Sequence, residues 1–209
     1  MNKYPIIVFV FFFCLMYTSL HAQNFDINLL KPINKHATTF KTKYLELNAS
    51  STTALGLGLP VGIVIAGFIQ HNKQLQRDAL YMGGSLIVSG IITQATKRII
   101  NRPRPFEKYS FIIQRDDESG GRSFPSGHSS EAFCTATSIA LRYRKWYFVA
   151  PSFVYATSVA WARMYQGVHY PSDVFTGALV GAGSAWLGWK VQHWMEKKHK
   201  PAALINQGW

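Results

Sequence analysis

The chain is a succession of apolar runs separated by short basic links, and that alternation limits what it can fold into before any motif is read. Runs cover Thr53 to Gln70, Ala79 to Thr96, Ser126 to Leu141, Trp146 to Ala162 and Val174 to Val191, each about 16 to 18 residues long. At roughly 1.5 Å of rise per residue, a helix of that length comes within a few ångströms of a bilayer core of about 30 Å. Buried helices of a soluble all-α protein would have the same length. The runs themselves, however, have almost no polar face to turn toward water. Gly177 and Gly181 add the small-xxx-small spacing that lets two helices approach closely in lipid. The expected fold class is therefore all-α, a transmembrane helical bundle.

Ahead of these runs, "MNKYPIIVFVFFFCLMYTSLHAQ" carries Lys3, an apolar core from Ile6 to Leu20 and a small residue at Ala22. This reads as a secretory signal peptide over residues 1–22, leaving about five spans if it is cleaved and six if it stays as an anchor. A polar N-terminal arm follows over residues 23–51, as a surface or amphipathic segment. Of the two cysteines, Cys14 would leave with the signal and Cys134 would remain. No intramolecular disulfide is then available, and packing must hold the fold.

Charge orients the bundle. A formal net charge of +12 in a chain that is 48% hydrophobic has to be concentrated in the links. One set of links holds Lys73 with Arg77, then Arg142, Arg144 and Lys145, then Lys190, Lys197, Lys198 and Lys200, as a cytoplasmic face would. By parity the segments around Arg104, Ser126 and His169 then face outward. That outer side is cation-rich too, from Lys97 to Arg122, and its cations need a separate reason.

Three stretches supply it: "KRIINRPRP" at Lys97 to Pro105, "FPSGH" at Phe124 to His128, and "ARMYQGVHYPSD" at Ala162 to Asp173. Together they hold cations, a glycine-bearing turn at a helix start, and two histidines, the second followed four residues later by a carboxylate. Arginine forks match phosphate oxygens, lysine adds a point charge, and a helix start offers unpaired N–H groups. A neutral imidazole can attack phosphorus while a carboxylate holds its tautomer, and a second, protonated histidine can protonate the departing alkoxide. Each residue has a plainer reading by itself. Lys97 and Arg163 could snorkel from helix ends, Asp173 could cap a helix after Pro171, His128 could be a helix-start polar residue and His169 an interfacial one. The conjunction of all three stretches favours a tetrahedral oxyanion site. Asp116, Asp117 and Glu118 read as a solvated face, and no metal-ligand spacing appears.

As a set, the three stretches resemble the signature motifs of the type 2 phosphatidic acid phosphatase and vanadium haloperoxidase superfamily. The family's Lys, six residues, Arg-Pro matches Lys97, Arg104 and Pro105, and selects Arg104 over Arg102. Its Pro-Ser-Gly-His matches Pro125 to His128. Its third pattern matches Arg163, His169 and Asp173, with Ala162 where the family usually has serine. The resemblance implies a catalytic domain over residues 52–193, followed by a basic tail over 194–209. It implies His169 as nucleophile, Asp173 as its orienting carboxylate and His128 as general acid. Lys97, Arg104, Arg163, the Ser126 hydroxyl and the Gly127 N–H would bind phosphate, with no metal and no cofactor.

The implied protein is a phosphatase of lipid phosphates or pyrophosphates, with membrane lipids and a lipid phosphate as partners and no nucleic acid. It would sit in a bacterial inner membrane with its site toward the periplasm. A soluble periplasmic acid phosphatase of the same superfamily is the second reading, and a vanadium haloperoxidase is a third. A membrane transporter or scaffold would explain the runs but not the motifs.

Overall fold

A computed structural model of the chain describes residues 25–35, 39–116 and 121–198. The expected signal peptide, Asp117, Glu118 and the last part of the basic tail lie outside these residues. Among the described residues the regular elements are all helices: α1 (residues 25–35), α2 (Thr39–Ile69), α3 (Lys73–Ile100), α4 (Pro105–Lys108), α5 (Gly127–Tyr143), α6 (Trp146–Tyr165) and α7 (Pro171–Lys198).

The connections follow from local chemistry. His71 turns through positive φ after α2, and Asn72 then caps α3, its side chain accepting from the Gln74 and Leu75 N–H groups at 2.9 and 3.3 Å. At the far end of α3, Asn101 takes the left-handed conformation with φ 48 and donates its N–H to the Lys97 carbonyl, ending the helix two residues before Pro103. Arg144, also at positive φ, makes the tight corner between α5 and α6. This connectivity brings the C-terminal ends of α3 and α6 and the N-terminal ends of α5 and α7 to one end of the bundle. Those four ends carry the three motifs.

α5 is the central helix, packed against α2, α3, α6 and α7. Its serines and threonines, which weaken it as a lipid-facing span, meet other helices instead: Ser130 Oγ lies 2.5 Å from Ser89 Oγ and accepts from Thr93 at 3.1 Å. The α5–α7 approach is made at bare backbone. A Cβ on Gly177 would run into the Ser126 carbonyl, and one on Gly181 into the Ser130 carbonyl. The outer helices present their large apolar side chains outward, including Val61 and Phe68 of α2, Ile87 and Ile91 of α3, Val154 of α6 and Leu179 of α7. Among the described residues, two stretches are long and apolar enough to cross a membrane, Thr42–Ile69 and Lys73–Lys108.

The region expected as a polar arm is more structured than its polarity implies. α2 starts at Thr39, well before the apolar run at Thr53, because its first turns are amphipathic and bury Leu45 and Ala49 against Ala162 and Tyr165. α1 buries Ile27 and Leu30 against Ile112 and Tyr170. Its Asn34 side chain binds the Ile113 N–H and the Ile113 and Tyr165 carbonyls at 2.8 to 2.9 Å, closing three backbone groups at the site end.

Candidate active site

His169 sits in the short turn between α6 and α7, and Gly167 makes that turn possible. Gly167 has φ +76, and a Cβ there would meet the Ile113 carbonyl and the Asn34 side chain. The turn is then stitched to the loop after α3, with Phe106 N–H donating to the Gly167 carbonyl at 3.3 Å and Arg115 N–H to the Gln166 carbonyl at 3.0 Å.

Tyr170 and Pro171 begin α7, and Asp173 reaches back to accept the Tyr170 N–H at 2.8 Å, as the third residue of a helix does in a capping box. The same carboxylate faces His169, with Oδ2 3.6 Å from Nδ1, too long for a hydrogen bond. Among the described residues His169 Nδ1 has no hydrogen-bond partner. The capping contact of Asp173 is thus present, and the same carboxylate lies beside the ring.

The imidazole is 2% exposed. Burial pushes its pKa down to about 4; Asp173 opposes that, and the nearby charges of Arg163 and Lys97 reinforce it. A ring held neutral in this way keeps its lone pair available at ordinary pH.

Ser126 caps α5, its Oγ accepting from the Ser129 N–H at 3.4 Å and from Ser129 Oγ at 3.0 Å. Its own N–H binds the Asp173 carbonyl at 2.9 Å, which joins the start of α5 to the start of α7. Lys97, Arg104, Gly127, His128 and His169 all line one cavity of about 1390 Å³. Ser126, Asp173 and Arg163 lie buried beside it. Lys97 Nζ donates to the Arg122 carbonyl at 2.7 Å, and Arg163 donates to Asp116 at 2.5 Å and Gln166 at 3.0 Å.

Two of these findings correct the sequence reading. Asp116 is not a solvated residue but the partner of Arg163, brought to it by the Asn34-anchored loop. Arg102, passed over in favour of Arg104, is tied into the site as well. Its guanidinium donates to Asp173 Oδ1 at 2.6 Å, Ser172 Oγ at 2.8 Å and Asp26 Oδ2 at 2.8 Å, and lies 3.7 Å from the centre of the Tyr170 ring. Asp26 comes from α1 and also accepts from the Ser172 N–H at 3.0 Å. Helical spacing along α1 could have marked Asp26 as inward-facing, since Leu30 lies one turn on; nothing in the sequence joined it to Arg102. Among the described residues no three of His, Cys, Asp or Glu come together as metal ligands.

Cations, helix starts and two histidines are thus gathered at one end of a helical bundle, a set suited to a tetrahedral oxyanion. The chain belongs to the PAP2 superfamily, whose family profile matches residues 78–197. A lipid A 1-phosphatase of Porphyromonas gingivalis is 39% identical over 120 residues, covering 56% of this chain and 23% of that protein. The chain spans between 23% and 64% of the length of the curated relatives compared with it. Among solved structures, LpxE of Aquifex aeolicus superposes with a TM-score of 0.66 at 26% identity, over 79% of this chain and 95% of that one. A transmembrane PAP2-type phosphatidylglycerolphosphate phosphatase from Bacillus subtilis superposes with a TM-score of 0.73 at 24% identity, over 95% of this chain and 98% of that one, and shows the fold.

Proposed function

We propose that this protein is an integral membrane phosphatase that hydrolyses lipid phosphate monoesters or diphosphates without a metal, through a phosphohistidine intermediate. The observation that carries the reading is one cavity that holds Lys97, Arg104, His128 and His169 at one end and runs between α2 and α3 past Leu57, Val61 and Leu86. A phosphate would meet the cations while its hydrocarbon lies along the apolar part. Relatives named as a lipid A 1-phosphatase and an undecaprenyl-diphosphatase support the substrate class.

In the first step the neutral His169 ring attacks phosphorus through Nε2, since Nδ1 is turned toward Asp173. The P–O bond to the lipid breaks, and His128 gives its proton to the departing alkoxide. Arg163 and Lys97, the cations that lower the His169 pKa, balance the charge gathering on the phosphoryl oxygens, with Arg104 and the Gly127 N–H. In the second step His128, now a base, takes a proton from water as its oxygen attacks the phosphohistidine, and inorganic phosphate leaves. Positive charge already in place supplies what a divalent cation would otherwise bring.

The bundle places all four motif-bearing helix ends on the side opposite Arg142, Arg144 and Lys145. We take that side as the outer face, with five spans in α2, α3, α5, α6 and α7. Purified protein in detergent tests the reading: phosphate should be released from lipid phosphates, EDTA should leave the rate within about twofold, and orthovanadate should compete with substrate as a trigonal-bipyramidal analogue. Strong inhibition by EDTA that Mg²⁺ reverses, with indifference to vanadate, would overturn it.

A further inference from the structure

We propose that Glu131, with Thr53 and Gln94, forms a subsite for the alcohol half of the substrate. It selects phosphate esters that carry a hydroxyl or amide N–H beside the esterified carbon over those that carry only hydrocarbon there. The proposal rests on the lipid phosphatase reading and names its substrate class.

Glu131 follows His128 by three residues on α5, so the two share a face and Glu131 lies about 4.5 Å further along the axis. Both line the cavity. On α3 the lining residues step the same way, from Lys97 through Gln94 to Gly90 and then Leu86. The cavity is thus graded: cations and histidines at the mouth, a polar belt one turn in, and an apolar slot beyond. Whatever atoms join the leaving oxygen to its hydrocarbon must pass the belt.

A carboxylate in a membrane-spanning helix is costly, and such groups face cavities where they meet a ligand. Thr53 Oγ1 donates to Glu131 Oε2 at a long 3.3 Å, and among the described residues no cation pairs with this carboxylate. Two oxygens offer about four acceptor positions, of which Thr53 fills one. Helix α2 makes room for the group: a Cβ on Gly56 would run into the Glu131 side chain.

An ionised carboxylate on the path of the alcohol has a definite preference, because it can only accept. A hydroxyl or amide N–H on the adjacent carbon would satisfy it. A bare polyprenyl or fully acylated glycerol would strip its water and return nothing. Sites built to pair a donor reject the analogue lacking it more strongly than apolar pockets reject a missing methylene.

The test compares the full chain in detergent micelles on lysophosphatidic acid, with a free hydroxyl beside the phosphate-bearing carbon, and on its 2-O-methyl ether, in which a methyl replaces the donor hydrogen. Wild type should favour the hydroxyl by about tenfold to a hundredfold in kcat/KM. Glu131→Ala should bring the ratio near one, and Glu131→Gln, which keeps one acceptor and the Thr53 contact, should lie between. The ratio is internal to each preparation, so a partly damaged variant still reports. Equal turnover of both lipids by wild type, or a ratio unchanged in Glu131→Ala, overturns the subsite alone. Failure of wild type to hydrolyse either lipid, or any other lipid phosphate, overturns the phosphatase reading and this one with it.

Discussion

Acid should protonate His169 far later than an ordinary histidine. The ring is 2% exposed and its pKa is pushed down to about 4, first by burial and then by Arg163 and Lys97, against the opposing Asp173. At pH 5 a group of pKa about 4 is roughly nine-tenths neutral, whereas one at about 6.5 is roughly 3% neutral, a difference of about thirtyfold in competent nucleophile. The assay is NMR of protein carrying ¹³C-labelled histidine in detergent, with the His169 signal assigned by its loss in His169→Gln. Reading the ring directly avoids the substrate phosphate, which itself titrates near pH 6. The signal should hold its neutral position at pH 5 and move only as pH approaches about 4. A second readout follows by linkage. The unfolded chain binds this proton below about 6.5 and the folded chain only below about 4, so stability is full above that window and falls as pH descends through it. The loss from this group is on the order of 3 kcal/mol. A His169 midpoint near 6.5 would refute the reasoning, because it would mean that burial and the two cations do not act on the ring as the geometry requires.

Other outcomes follow from the same contacts. Arg102→Met should lower kcat by about tenfold to a hundredfold and raise the His169 pKa, since Asp173 would lose its 2.6 Å partner; an unchanged NMR titration would make Arg102 merely structural. Gly181→Leu should force α5 and α7 apart at the Ser130 carbonyl and lower the unfolding temperature in detergent by several degrees, while Gly183→Leu, which meets nothing within 4 Å, should not. With Cys14→Ser and Cys134→Ala as background, a membrane-impermeant thiol probe should label a cysteine at Ser110 on intact cells and miss one at Lys145; the reverse pattern would invert the topology.

How much could be read beforehand differs by element. The helical bundle and the grouping of Lys97, Arg104, His128 and His169 were legible because apolar runs and charged motifs are local in sequence. α5 was harder, since its serines and threonines weaken the apolar signal; only the packed bundle reveals that they face Ser89 and Thr93 rather than lipid. The early start of α2 was hidden for the opposite reason, because amphipathic turns beside the membrane look like a polar arm. Arg102 and Asp26 are joined across 76 residues, and Asp116 and Arg163 across 47. Pairings of that range depend on how loops return to the bundle end, which Asn34 and Gly167 set through backbone contacts that no residue pattern announces.

The account turns on His169 as the nucleophile, and a trapped covalent intermediate tests that most directly. An activated aryl phosphate labelled with ³²P needs little help from a general acid, so His128→Ala should still transfer its phosphoryl group to the enzyme. Hydrolysis of the adduct needs His128 as base, so label should accumulate. After rapid quench at alkaline pH and peptide mapping, an acid-labile phosphoryl group should be found on His169, and none on the double variant His128→Ala, His169→Ala. Turnover of the aryl phosphate with no label at His169, or label on another residue that persists in the double variant, would contradict the central claim.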